Sequence, residues 1–223
     1  MMKKFTIKAV VFDFDGTLAE TNRLHYDAFR EVLSGKGVDL SEEEMAPLFG
    51  VSALEIMRLL KRRHSVKGSP ETLLKEKTRA YAKLLKKARL RDGAVKALKD
   101  LKGEGFKLAV WTGALKGQSK KILGKNARFF SLVIDSTDLK RGKPYPDGLR
   151  LIARKLRVKT GEIAMVGDSE KDVQAARSAG ALPIGIPADM TLELMLKSRP
   201  PIIITRLGEL SMLFRRSPQI VEL

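Results

Sequence analysis

Two hydrophobic periodicities alternate along the chain. Apolar runs rich in β-branched residues predict strands near 6–12, 106–111, 131–134, 163–167, 183–186 and 201–205. Between the first two, from about 20 to 88, such runs vanish and the spacing becomes helical. Leu24, Ala28, Phe29, Val32 and Leu33 share one helical face, which stops near Gly35 and Gly37. Ser41 with Glu44 and Ser52 with Glu55 have capping-box spacing. They open helices through Met45 and Leu48, and through Leu54, Met57 and Leu60. Ser69-Pro70-Glu71 starts a fourth helix, with Leu74, Thr78, Tyr81, Leu85 and Ala88 on one side. After residue 90 helices and strands alternate, ending in a helix over Leu207–Leu213, as a parallel α/β sheet with right-handed crossovers requires. The expected organisation is a core of 1–16 and 90–223 interrupted by a helical insert of 17–89.

The first strand ends in chemistry. Val10-Val11-Phe12 runs into Asp13-Phe14-Asp15-Gly16-Thr17. Residues two apart on a strand point the same way, so Asp13 and Asp15 converge at its carboxyl end, where open α/β sheets bind ligands. Two carboxylates there need a positive partner, a metal ion or a phosphoryl group. Later strands end similarly. Phe106–Trp111 is followed by Thr112-Gly113, a hydroxyl and an amide suited to phosphate oxygens. Lys143 stands in Arg141-Gly142-Lys143-Pro144-Tyr145-Pro146-Asp147, stiffened by prolines that also start a helix. Ile163–Val166 leads to Gly167-Asp168, with Asp172 four residues further on and a helix that stops at Gly180; the two carboxylates suit a hard cation.

These four segments, in this order over about 160 residues, resemble the four motifs of the haloacid dehalogenase-like phosphohydrolase superfamily: D-x-D-G-T, a strand before Thr or Ser, K-P-x-P-D and G-D-x-x-x-D. The resemblance implies a Rossmann-like parallel sheet with an inserted four-helix cap, of the subgroup resembling phosphoglycolate phosphatase and β-phosphoglucomutase. The connections near 15–20 and 87–93 would be its hinges. It further implies Asp13 as nucleophile and Asp15 as general acid and base, with its pKa raised by a neighbouring carboxylate. Thr112, Gly113 and Lys143 would hold phosphate. Mg2+ would sit among Asp13, the Asp15 carbonyl, Asp168 and Asp172. Asp15 stands where dehalogenases lack an acid, which points to phosphoryl transfer.

The implied activity is hydrolysis of a small phosphorylated metabolite, phosphoglycolate or a sugar phosphate, with a β-phosphoglucomutase-like sugar phosphomutase as the alternative. Thr17, where such mutases have Val, favours hydrolysis. So does Ala53, which follows Gly50-Val51-Ser52 in place of an arginine that would help hold a second phosphate. His25 sits where a cap histidine is expected, and is either a substrate-side residue or a packed helix-face residue. Glu20-Thr21 departs from the Asp-Ser or Asp-Thr usual after the first motif.

Composition narrows the chemistry. The 223 residues include no cysteine and only His25 and His64, which excludes disulfides, thiolate nucleophiles and multi-histidine metal sites. Met1-Met2-Lys3-Lys4 precedes an apolar run that Lys8 and Asp13 make a strand rather than a leader, and no segment is apolar enough to span a membrane. A cytoplasmic enzyme is expected; the oligomeric state stays open. The net charge is +17, and from Arg58 to Arg91 thirteen basic residues face only Glu71 and Glu76. Such a segment steers anionic substrates, binds a polyanion, or is a solvated lysine-rich surface of the kind heat-adapted proteins carry. With Tyr81 its only aromatic residue, it lacks a stacking platform, which argues against a nucleic-acid partner. Arg62, Arg63 and His64 fall where a helix end favours positive charge.

Overall fold

The computed structural model describes residues 4–215 and 220–222. Its centre is a six-stranded parallel sheet. In chain order the strands are β2 (Ala9–Phe12), β3 (Lys107–Trp111), β4 (Leu132–Ile134), β5 (Ile163–Gly167), β6 (Leu182–Gly185) and β7 (Ile202–Ile203). Their spatial order is β4-β3-β2-β5-β6-β7. The chain therefore builds to one side of β2, then returns to build to the other, and the reversal leaves a crevice at the carboxyl ends of β2, β3 and β5. Val10 pairs with Leu108 on one flank and Ala164 on the other, which sets these ends level.

Alternate strand residues serve opposite faces. Val10, Phe12, Leu108, Val110, Ala164 and Val166 pack on α5 (Ala94–Gly103) and α10 (Glu209–Arg215). Val11, Ala109, Trp111 and Met165 pack on α7 (Asp147–Leu156) and α8 (Glu170–Ala179). Burial on both faces explains why these strands read as continuous apolar runs rather than alternating ones. Two short helices, α6 (Gln118–Leu123) and α9 (Leu192–Lys197), complete the crossovers.

The sheet differs from the sequence expectation at its margins. The first run is split: β1 (Lys4–Thr6) leaves the main sheet and pairs antiparallel with β8 (Ile220–Glu222), a strand the sequence pattern missed. The break falls at Ile7-Lys8, where the Lys8 ammonium pairs with Glu162 at 2.7 Å. The expected strand 201–205 shrinks to two residues at the sheet edge.

Between β2 and β3 lie α1 (Asn22–Ser34), α2 (Glu42–Met45), α3 (Ala53–Arg63) and α4 (Pro70–Leu84). Ser41, Ser52 and Ser69 each accept a hydrogen bond from the backbone N–H three residues on, which starts α2, α3 and α4 where the sequence placed them. The four helices close around their own apolar cluster, including Phe29, Leu33, Met45, Met57, Leu60, Leu73 and Tyr81. Two adjacent crossing segments join them to the sheet: the Glu20 N–H donates to the Arg89 carbonyl at 3.0 Å and the Arg91 N–H to that of Leu18 at 2.8 Å. No helix among the described residues is long and apolar enough to cross a membrane.

Candidate active site

The crevice gathers the residues expected from the sequence. Asp13 follows β2, Thr112 follows β3, and Asp168 follows β5, so the parallel register alone brings them together. Asp13, Lys143, Asp168 and Asp172 are all buried. Pro146 caps α7, so the chain carrying Lys143 is fixed just before a helix. Its ammonium lies 2.8 Å from Asp13 Oδ1 and 2.6 Å from Asp172 Oδ1. Burial alone would lower the Lys143 pKa, but these two carboxylates outweigh it and hold the pKa above its ordinary value.

Asp168 receives three side-chain donors. The hydroxyls of Thr17 and Thr191 and the amide of Asn22 donate to its carboxylate at 3.0, 2.8 and 2.9 Å. Asn22 opens α1, so this bond ties the helical insert to the sheet. Asp172 accepts from the Ser169 N–H at 3.1 Å and hydroxyl at 2.5 Å, in a reciprocal cap of α8. Oxygens of Asp13, Asp168 and Asp172 all lie within 4.8 Å of one another. Burial, then repulsion from Asp172 and Asp168, pushes Asp13 well up despite Lys143. Burial and Asp172 push Asp168 up to about 6 against its three donors. One ammonium faces three buried carboxylates, and all the donors are oxygens. That charge deficit and donor set fit a hard divalent cation.

Asp15 has a different environment from Asp13. Its side chain turns toward the helical insert, accepting from the Thr21 hydroxyl at 2.6 Å and the Thr112 hydroxyl at 3.2 Å, with His25 Nε2 at 3.1 Å. The structure thus puts His25 on the carboxylate expected to act as acid and base. Behind His25, Lys77 Nζ lies 2.6 Å from Nδ1, and the Tyr81 ring stacks on the imidazole at 4.1 Å. Lys77 is only 2% exposed, with its ammonium 4.7 Å from the ring centres of both Phe29 and Tyr81.

The expected raised pKa of Asp15 is not what this environment produces. Burial would raise it, but His25, the Thr21 hydrogen bond and Lys77 together lower it to about 2. His25 contributes most to this lowering and Lys77 least; the sequence counted Lys77 only as one of the basic residues of 58–91. Burial brings the Lys77 pKa down to about 7, and burial followed by Lys77 lowers that of His25. One signal was available: Leu73, Leu74, Lys77, Ala80 and Tyr81 have helical spacing on a single face. For Asn22 and Thr191 no pattern in the sequence pointed to the site.

The segment Gly50-Val51-Ser52 lies over this floor. Gly113 runs directly beneath it: a Cβ there would come within 2.6 Å of the Val51 carbonyl oxygen. Gly50 has φ +90°, and its own Cβ would meet Ser169 Oγ at 2.5 Å, so glycine is required on both counts. Ala53, next in line, is buried and carries no donor. Under this segment a cavity of about 40 Å³ touches Asp13, Asp15, His25 and Asp168. On its outer side one of about 820 Å³ reaches Thr112, Gly113 and Lys143.

Residues 7–180 match the family described as hydrolase: haloacid dehalogenase-like hydrolase. The chain belongs to the haloacid dehalogenase-like hydrolases. It is 30% identical over 180 residues to a phosphorylated carbohydrates phosphatase of Thermotoga maritima, covering 78% of this chain and 82% of that one. To a β-phosphoglucomutase of Bacillus subtilis it is 27% identical, covering 85% and 94%. Among solved structures, CbbY from Rhodobacter sphaeroides in complex with phosphate superimposes with a TM-score of 0.79 at 26% identity, over 92% and 96% of the two chains. This haloacid dehalogenase-like hydrolase thus has relatives named for hydrolysis and for isomerisation.

Proposed function

We propose that this protein is a magnesium-dependent phosphatase that hydrolyses a small phosphorylated metabolite of the sugar-phosphate or phosphoglycolate type through an aspartyl-phosphate on Asp13. The observation that carries this reading is the contrast between two carboxylates two residues apart. Asp13 is buried against Lys143 beside Asp168 and Asp172, while Asp15 faces His25 and the cap. Such a division of labour suits a nucleophile and a proton carrier.

In this reading residues 17–89 are the cap, and closing it excludes water from the site. Thr112, the Gly113 amide and Lys143 hold the phosphoryl oxygens. An Asp13 oxygen attacks phosphorus and the bond to the ester oxygen breaks, while Asp15 gives that oxygen its proton. Asp15 then takes a proton from water, whose oxygen attacks phosphorus and releases inorganic phosphate and free Asp13. Asp15 is ionised in the environment described above, so it takes up a proton from solvent as the substrate binds: a phosphate dianion beside it raises its pKa. Asp13, Asp168, Asp172 and the Asp15 carbonyl would hold Mg2+, which supplies charge to offset repulsion between carboxylate and phosphate.

The test is phosphate release from p-nitrophenyl phosphate, with magnesium or with chelator, for the native chain and Asp13→Asn. Magnesium-dependent turnover lost in the variant is the expected result. A native chain that releases no phosphate overturns this reading and favours the mutase alternative.

A further inference from the structure

We propose that the substrate carries a second phosphate, held in a cationic vestibule between Arg58 and Arg62 on α3 and Lys140 and Arg141 in the loop before Lys143. The proposal rests on the phosphatase reading above and names the class of its substrate. Its starting point is the cavity of about 820 Å³ that opens from Thr112, Gly113 and Lys143. That volume far exceeds one phosphoryl group and is in the range of whole ligand sites, so the leaving group occupies most of it.

The charge on its walls says what that group carries. Arg58 and Arg62 are four residues apart and share a helix face. They line the cavity together with Lys61, and Lys140 and Arg141 line it from the sheet side. Against these five cations the lining offers two acids, Glu55 and Asp135. Asp135 is buried, with one oxygen already bonded by the N–H and hydroxyl of Thr137 at 3.0 and 2.6 Å. Arg58 pairs with Glu71 at 3.3 Å through well-exposed side chains, while Arg141 holds the half-buried Asp147 through Nε and one terminal nitrogen at 3.0–3.2 Å, leaving its other terminal nitrogen free of that pair. The exposed Arg58–Glu71 pair is weak, and each guanidinium keeps further N–H donors for a phosphate. Among the described residues no acid lies within ion-pair distance of Lys61, Arg62 or Lys140. Self-repelling cations around a cavity cost stability unless an anion completes them.

The position next to Gly50-Val51-Ser52 carries Ala53, which contributes no charge. The vestibule cations lie further along α3 and across from it. Because one wall belongs to the cap and the other to the sheet, a phosphate spanning them is gripped fully only when both are in place.

The experiment compares butane-1,4-diol bisphosphate with 4-hydroxybutyl phosphate, which differ only in the distal phosphate. In the native chain kcat/KM for the bisphosphate should exceed that for the monophosphate at least tenfold at low salt, and the ratio should shrink with added salt. Arg62→Ala with Lys140→Ala should cut that ratio at least fivefold, and Arg62→Lys should largely keep it. A native ratio near one, or a ratio unmoved by the double variant, overturns the proposal. Calorimetric binding of both compounds to Asp13→Asn gives the same comparison without turnover. If neither is hydrolysed yet the bisphosphate binds tenfold more tightly, the phosphatase reading fails and the vestibule stands; equal binding removes the vestibule.

Discussion

The Lys77 ammonium lies 2.6 Å from Nδ1 of His25, whose other ring nitrogen is 3.1 Å from Asp15. A buried lysine on α4 is thus two contacts away from the Asp15 carboxylate. Its pKa is about 7 in the fold because burial disfavours the charged form, whereas in an unfolded chain it is near 10.4. Between those values the unfolded chain binds more protons, so this residue makes stability rise with pH. Below pH 7 the full cost of burying the charge is present, on the order of a few kcal/mol. Lys77→Met should therefore melt at a higher temperature than the native protein at pH 7, with the gap closing toward pH 10. Catalysis should move the opposite way, with kcat falling at least tenfold. Thermal melts across that range, paired with kcat, check both; a variant less stable at every pH would show that Lys77 is held by favourable contacts alone.

Asp15 leads to a separate prediction. A carboxyl held at about 2 by His25, Thr21 and Lys77 despite its burial is ionised at neutral pH. If a phosphate dianion placed beside it raises its pKa, binding must take up a proton. Calorimetric titration with inorganic phosphate at pH 7, in two buffers of different ionisation heat, should show more proton uptake by the native protein than by Asp15→Asn. The difference should approach one proton. Equal uptake would mean that Asp15 stays charged in the complex and draws its proton from elsewhere.

Much of this site was legible because parallel strands that end level bring their next residues together. Asp13, Thr112 and Asp168 each follow an apolar run, and once those runs pair in register they must meet. The serine caps of α2, α3 and α4 were equally readable, since capping is local. Pairings set by tertiary context were not. Whether Lys4–Thr6 joined the main sheet or a second pair depended on a strand at 220–222. Lys77 did not stand out for the same reason: charge predicts exposure on average, and only the packing of α1 against α4 shows that this ammonium is enclosed by Phe29, Tyr81 and His25.

Gly148 offers a test of how the core supports the site. A Cβ there would run into the Trp111 indole, approaching Cζ2 within 2.5 Å. Trp111 is the chain's single tryptophan, and the Lys143 ammonium lies 5.4 Å from its ring centre. Gly148→Ala should cost about 1–3 kcal/mol through overpacking. It should also change the tryptophan emission and lower activity by displacing Lys143. Normal emission and activity with unaltered stability would show that α7 moves aside freely.

The metal prediction follows from charge balance at the floor of the crevice. Asp13 and Asp172 share the Lys143 ammonium and Asp168 beside them has only neutral donors, so the protein without a divalent cation carries uncompensated repulsion. Magnesium at about a hundred times its dissociation constant should add about 2.7 kcal/mol. For a chain of this size that corresponds to roughly 5–10 °C in the melting midpoint. Asp168→Asn removes one of the three charges while its amide can still bond to Thr17 and Thr191. Without magnesium this variant should melt above the native protein, and with magnesium its midpoint should barely move. Melting curves of both proteins in chelator and in magnesium decide the matter. A native midpoint indifferent to magnesium would mean that Lys143 alone balances the cluster, and the phosphate would then have to be held without a metal.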